Sequence, residues 1–501
     1  MTFGQVLLVA VLAVPALGAI ATAAVPGDRA GRLVGTVAAA LTLLATLPLV
    51  GGEHGWFGYG PRPAVQPWHR LDLPWVPGLD LRFHLGVDGI SWPLVVLTAL
   101  LTLLCCAYTL WRVPAGGGSG RALVALLLVV EVGILGTFLA LDLVLFFLFF
   151  EVVLLPMYAI IAGWGGDDRR RAARKFALYT LFGSVLLLVG VYVVVAEAGT
   201  ADLVALTGGV GLSRGTQFAA FTLLALAFAV KSPLWPLHSW LPDAHTQAPT
   251  VGSVILAGVL LKMGTYGLIR VAVGVAPEGA RWASPALGVL AVAAILVGGL
   301  VCLAQDDLKR LIAYSSVGHM GFVLLGVATL TATGLQAALI GNIAHGVITG
   351  LLFFLAGAVK DRTHTGALAE LSGLRETAPR LAGLLGFAAV ASLGLPGLAG
   401  FWGEAFAVVA AVRRGGPLWL TLAVLAALGG ALTAAYFLRL LRRVTHGRPS
   451  PAVAGLTPGL AGAELTAWAP LVLLALAVGL APALVLSYAS GPVEALLGVV
   501  P

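Results

Sequence analysis

The sequence predicts an all-α polytopic membrane protein of about 14 transmembrane helices. Three observations carry that reading. Of 501 residues, 59% are hydrophobic and 10% charged, against about 25% charged in a soluble domain. Apolar runs of the roughly 20 residues that cross a bilayer as a helix recur along the whole chain. The basic residues gather in short connections rather than on one amphipathic face, so the net charge of +7 reads as a topology signal and not as a nucleic-acid surface.

The first 25 residues have the apolar content of a signal peptide. They lack its basic leader and run straight into a second apolar stretch, so they are expected to stay as helix one. Spans follow near 32–50, 89–111, 122–140, 142–163, 173–196, 216–239, 250–274, 283–304, 309–330, 335–359, 382–412, 417–438 and 466–489. The connection 51–88, rich in Gly, Pro, Trp and His, is expected to be a folded extramembrane hairpin or loop. The run DDRRRAARK before span six reads as a cytoplasmic anchor. Cys105, Cys106 and Cys302 all lie in apolar runs without a CxxC spacing, which indicates neither an iron–sulfur site nor a disulfide framework.

Positive charge sets orientation. With the N-terminus outside, the cytoplasmic connections hold 19 Lys and Arg residues and the outer ones hold 8, among them Arg62, Arg70, Arg82 and Arg270. Both termini are therefore expected on the outer side of the cell membrane.

Two spans are broken. Span seven runs into KSPLWPLHSWLP, where prolines remove backbone donors. Span 382–412 is too long for one straight helix and is interrupted by GLPGLAG at Gly394–Gly400, which reads as two half-helices. The breaks lie five spans apart. Two five-helix units, helices 4–8 and 9–13, would then be related by inverted topology, the arrangement in which transporters place sites at paired broken helices. The expected organisation is 1–120 for helices 1–3 with the 51–88 loop, 121–275 and 276–445 for the two repeats, and 446–501 for a last helix.

Ionisable residues inside these spans are the functional candidates, because a mid-membrane charge costs roughly 2.5–3.5 kcal/mol even on insertion scales. Glu151 lies among phenylalanines in FFLFFEVVLLPMY. It reads as the ion-pair partner of Lys231, the alternative being a structural carboxylate satisfied by a neighbouring hydroxyl. Lys231 sits at the first break and Lys262 one helix on. His319 (YSSVGHMGF) and His345 (NIAHGVITG) occupy consecutive spans, and histidine suits a proton relay because its pKa lies near working pH. No third ligand has a spacing that would make them a metal site. Glu404 follows the second break as Lys231 marks the first. Glu131 in LVVEVGIL is the candidate modulator of the Glu151 pair. Asp142 opens span five in N-cap position. His238, Asp243 and His245 follow the first break and read as a polar turn, with the lining of an access path as the alternative.

The stretches LGVDGISWPLVVLT, FFEVVLLPMY, KFALYTLFGS, KSPLWPLHSWLPDAHTQAPT, DDLKRLIAYSSVGHMGFV, NIAHGVITGLLFFLAG and LPGLAGFWGE together resemble the antiporter-like subunits of respiratory NADH–quinone oxidoreductase, complex I. Glu404 after the second break, where the L and N types carry lysine, and the lack of a long C-terminal lateral helix make the resemblance closest to the M (chain 4) type. The resemblance implies an ion pair of Glu151 and Lys231, a central lysine at Lys262, connecting histidines at His319 and His345, and a distal proton site at Glu404. It implies proton translocation coupled to NADH oxidation and quinone reduction. NADH, FMN, iron–sulfur clusters and quinone would be bound by partner subunits, with L-like and N-like subunits as membrane neighbours and no redox chemistry in this chain. A subunit of a multisubunit cation/proton antiporter or of a membrane-bound hydrogenase is the alternative within the fold. Outside it stand a solute transporter and a passive assembly subunit.

Overall fold

The computed structural model describes residues 1–51, 65–114 and 116–500. Arg62 and most of the first half of the 51–88 connection lie outside the described residues. The chain opens with helices α1 (Phe3–Ala24) and α2 (Asp28–Thr46), then a hairpin of β1 (His69–Val76) and β2 (Leu81–Val87), then α3 (Trp92–Trp111). Next come α4 (Gly120–Leu139), α5 (Leu143–Val152), α6 (Leu154–Trp164), α7 (Arg169–Ala198), the short α8 (Leu203–Leu206) and α9 (Arg214–Lys231). After the first break follow α10 (Trp240–Gln247), α11 (Thr250–Ile255) and α12 (Leu261–Gly267), then α13 (Pro277–Ala304), α14 (Leu308–Ala328) and α15 (Ala332–Thr363). The remainder is α16 (Leu374–Thr377), α17 (Pro379–Ser392), α18 (Gly400–Arg414), α19 (Gly416–Thr445), α20 (Pro451–Ala454), α21 (Gly462–Leu480) and α22 (Ala483–Leu497).

Among the described residues, 12 helical stretches are long and apolar enough to cross a membrane. They correspond to the expected spans except at the two breaks, where α9 ends at Lys231 and where α17 and α18 are each too short alone. Span fourteen also divides, at Ala481–Pro482, into α21 and α22. The 51–88 connection does contain a hairpin. Its strands pair antiparallel from His69↔Val87 to Val76↔Leu81.

Local chemistry accounts for the helix starts. Thr2 accepts from Gln5 N at 3.3 Å while Gln5 Oε1 accepts from Thr2 N at 2.9 Å, closing a capping box. Asp142 accepts from Val144 N and Leu145 N, both at 2.9 Å, so the expected cap is present. Asp307 caps α14 through Arg310 N at 2.8 Å. Between α5 and α6 the helix is interrupted at Val153, and Pro156 has no N–H to offer the Val152 carbonyl.

The centre of the molecule is the stretch Thr250–Val273 together with α15, both buried across their most apolar turns, and α14, largely so. The Thr250–Val273 helix is not a regular α-helix. Its winding widens to π-helical turns at Leu256–Leu260 and Leu268–Val273, on either side of α12. Such turns free backbone carbonyls from the usual ladder and recur at functional sites. Exposed apolar side chains crowd the outer helices, as on α7 with Leu178, Phe182, Val185 and Tyr192.

Candidate functional site

Lys262 is fully buried on α12. Its Nζ donates to the carbonyl of Ala257 at 2.5 Å, a group within the preceding π-helical turn. The same Nζ lies 2.6 Å from Nδ1 of His345 on α15. The His345 ring stands edge-on to His319 of α14, with centroids 5.8 Å apart. Nδ1 of His319 lies 2.7 Å from Oε1 of Glu404 on α18. Four of the expected residues, from four helices, thus form one continuous row in the order Lys262, His345, His319, Glu404.

Close backbone packing allows the row. α15 and α18 meet at glycines: a Cβ on Gly403 would lie 2.6 Å from Gly341 Cα. The break before α18 depends on Gly394 and Gly397, whose φ values of +72° and +92° are left-handed. A Cβ on Gly394 would also approach Glu404 Oε2 to 3.1 Å. Asn342, one turn before His345, accepts from Thr265 Oγ1 at 2.9 Å and ties α15 to the helix of Lys262. A cavity of about 30 Å³ lies among His319, His345, Ser392 and Glu404. A water needs roughly 10–15 Å³, so the cavity has room for one or two beside the row.

Lys231 ends α9, 2% exposed, where the Ser232 break begins. Its expected partner does not touch it. Among the described residues no ion pair joins Lys231 to Glu151. The Glu151 carboxylate, in the last turn of α5, accepts from the hydroxyl of Ser184 on α7. The Lys231 ammonium stands over the Phe150 ring at 4.7 Å, a cation–π contact. The hydroxyl-satisfied carboxylate is therefore what this structure contains.

Glu131 is fully buried on α4, and neither of its oxygens has a hydrogen-bond partner among the described residues. Asp243 pairs with Lys175 at 2.7 Å and Arg310 at 3.8 Å. His245 is fully buried and stacks on Phe353. Arg270 was expected in an outer connection; instead it is 1% exposed and bonded to Asp88, which also accepts from Ile90 N at 3.0 Å and Ser91 N at 3.1 Å at the start of α3. The apolar flanks of Arg270, GLIRVAVGV, were the available signal. Arg362 and Glu464, paired twice at 2.7 Å, join α15 to the start of α21 and were not singled out either.

Residues 140–429 match the protein family described as NADH:quinone oxidoreductase/Mrp antiporter, transmembrane. The chain belongs to this family. Subunit M of the NADH-quinone oxidoreductase of Rhodobacter capsulatus is 40% identical over 497 residues, 97% of this chain and 93% of that protein. The NAD(P)H-quinone oxidoreductase chain 4 of a Synechococcus strain is 41% identical over 449 residues, 88% of this chain and 83% of that protein. A chain of respiratory complex I from Thermus thermophilus superposes with a TM-score of 0.86 at 33% identity, covering 99% of this chain and all of its own. A chain of the Mrp complex from a Dietzia species has the same TM-score of 0.86 at 24% identity and shares the fold. Glu151, Lys231, Lys262, His319, His345 and Glu404 all fall inside the stretch matched to the NADH:quinone oxidoreductase/Mrp family, whereas Glu131 precedes it.

Proposed function

We propose that this chain is an M-type proton-translocating membrane subunit of an NADH–quinone oxidoreductase, and that protons move along Glu151, Lys231, Lys262, His345, His319 and Glu404. The observation that carries the reading is the row from Lys262 Nζ to Glu404, with contacts of 2.6 and 2.7 Å at its two ends and the two imidazoles edge to face, 5.8 Å apart, between them. Each neighbour is a titratable group able to pass one proton. The separation of Glu151 from Lys231 supplies the switch. Opposite charges in contact hold the ammonium protonated; a lysine parted from its carboxylate and desolvated releases its proton onward. Moving one charge against 100 mV takes about 2.3 kcal/mol, the scale of one to two pKa units. Energy arrives from partner subunits that carry the NADH, flavin, iron–sulfur and quinone chemistry.

The finer arrangement belongs to the same proposal. α9 with its break, and α17 with α18, complete 14 crossings. Helices 4–8 and 9–13 form inverted repeats within 121–275 and 276–445, both termini face outward, and L-like and N-like subunits lie alongside. Glu131 modulates the Glu151 switch from α4. A role as an antiporter subunit in the sense of the Mrp relatives rests on shared fold alone, whereas the relatives near 40% identity are quinone oxidoreductase subunits.

The test is proton translocation by the assembled complex in proteoliposomes. Glu151→Ala and Lys231→Ala are expected to abolish pumping with subunit content intact. Full translocation by either variant rules the axis out.

A further inference from the structure

Lys262 and His345 are not the only polar pair between their two helices. Thr265 follows Lys262 by three residues on α12, and Asn342 precedes His345 by three on α15. Residues three apart lie on one helix face, so Thr265 shares the face of Lys262 and Asn342 that of His345. The four side chains meet in antiparallel order as two rungs. Nζ of Lys262 is 2.6 Å from Nδ1 of His345, and Oγ1 of Thr265 donates to Oδ1 of Asn342 at 2.9 Å. Thr265 and Asn342 are both fully buried.

The second rung matters because of how α12 is held. It is a short regular segment, Leu261–Gly267, between π-helical turns at Leu256–Leu260 and Leu268–Val273. The wider winding at each end leaves the rotation of α12 less fixed by its own hydrogen-bond ladder. Glycines bring its neighbours close. A Cβ on Gly264 would lie 2.3 Å from Oγ of Ser232, the residue after Lys231, and one on Gly346 would lie 2.6 Å from the Gly258 carbonyl. Contacts made through glycine set distance but present no side chain that resists turning. The Thr265–Asn342 hydrogen bond does resist it. Thr265 Oγ1 also lies 3.2 Å from the carbonyl of Lys262, so the hydroxyl that grips Asn342 is seated on the residue whose ammonium must be aimed. Nδ2 of Asn342 is buried without a hydrogen-bond partner among the described residues. An apolar side chain there would orphan no donor, so the amide is unfavourable as packing alone.

We propose that Thr265 and Asn342 are the positioning pair of the Lys262–His345 proton transfer. In that step the ammonium of Lys262 gives its proton to the unprotonated Nδ1 of His345, leaving a neutral amine and an imidazolium. Neither Thr265 nor Asn342 carries the proton. Their rung sets the turn of α12 about its axis, and so the reach of Nζ to Nδ1. Without it α12 turns at its two wide ends, Nζ draws away from the imidazole, and transfer slows. This inference rests on the axis proposed above and adds what aims its central lysine.

The experiment uses the purified complex in proteoliposomes and reads the rate of proton translocation and its solvent hydrogen/deuterium isotope effect. Thr265→Val keeps the branched shape and removes the hydroxyl, Thr265→Ser keeps the hydroxyl, and Asn342→Leu removes the amide. Lys262→Ala is the reference. Misplacing a reacting group by about 1 Å costs roughly 100-fold, so Thr265→Val and Asn342→Leu are each expected to slow translocation by about 10- to 100-fold and to raise the isotope effect. Thr265→Ser is expected to restore both towards wild type. Both single variants remove the same rung, so the double variant is expected to be no slower than the slower single one, and effects that multiply overturn the shared rung. A pair that only stabilised the fold would lower the amount of assembled complex and leave the isotope effect per complex unchanged. That result, or wild-type rate and isotope effect in Thr265→Val with Lys262→Ala stalled, overturns the positioning pair and leaves the axis standing. Normal translocation in Lys262→Ala overturns the axis and the pair with it. Should Asn342→Leu not assemble, Thr265→Val against Thr265→Ser decides: a slow, isotope-sensitive valine variant beside a near-wild-type serine variant supports the pair, and equal behaviour overturns it.

Discussion

Glu404 shows why residue type matters at the end of the row. Its Oε1 sits 2.7 Å from Nδ1 of His319, and a glutamine there keeps the shape and one hydrogen bond while losing the proton. Glu404→Gln is therefore expected to retain assembly and to slow translocation by about 100-fold, read as protons moved per NADH oxidised. Lys231, Lys262, His319, His345 and Glu404 were legible in the sequence because a titratable group in an apolar run has few structural justifications. What was not legible is which partner each takes. Lys231 lies over Phe150, the sequence neighbour of Glu151, yet Ser184, 33 positions away, holds the Glu151 carboxylate in this structure. The Asp88–Arg270 pair spans 182 positions, and no local pattern announces a contact at that distance. His245 read as part of a polar turn because its immediate neighbours, Asp243, Thr246 and Gln247, are polar; only packing shows that it faces inward.

At the level of elements, the breaks and most helix limits could be read from proline, glycine and caps. The π-helical turns around Lys262 could not, since LIRVAV carries no breaker and the lone Gly258 in LAGVL is of a kind common inside regular membrane helices, and tertiary packing selects the wider winding. Glycine contacts set how near the helices come. A Cβ on Gly403 would meet Gly341 Cα at 2.6 Å, while one on Gly430 of α19 meets nothing within 4 Å. Gly403→Ala is expected to destabilise the subunit by about 1–3 kcal/mol, as overpacking does, and Gly430→Ala to leave it unchanged, compared by denaturation midpoint. The hairpin adds a pH-dependent element. Partial burial alone would push the Asp72 carboxyl up, but the Arg82 hydrogen bond, His84 and Arg70 bring it below the usual carboxylate range. Asp72 is then ionised in the fold at a pH where it would be protonated unfolded. Its contribution is present above the unfolded value near 4 and is lost as pH falls through the lower folded value. Hydrogen exchange of the β1–β2 amides should accelerate over that window, and Asp72→Asn should remove the dependence.

Across the whole molecule, ion pairs sort the connections into two ends. Arg112 meets Asp361 at 3.0 Å, Lys175 and Arg310 share Asp243, and Arg439 and Arg443 share Asp306, all among connections expected to be cytoplasmic. The start of α1 lies instead against the hairpin, with Gln5 donating to the Arg70 carbonyl at 3.1 Å, and β2 reaches Asp142 and Asp202. If the basic end is cytoplasmic, as charge bias dictates, the basin of about 310 Å³ at Asp243 opens to the cytoplasm. The native cysteines are all buried, so an introduced thiol can be read without background. Asp80 in the hairpin turn is 52% exposed and Glu376 before α17 is 58% exposed. A membrane-impermeant maleimide applied to intact cells is expected to label Asp80→Cys and to label Glu376→Cys only after permeabilisation. The reverse pattern would invert the orientation and place the Asp243 basin outside.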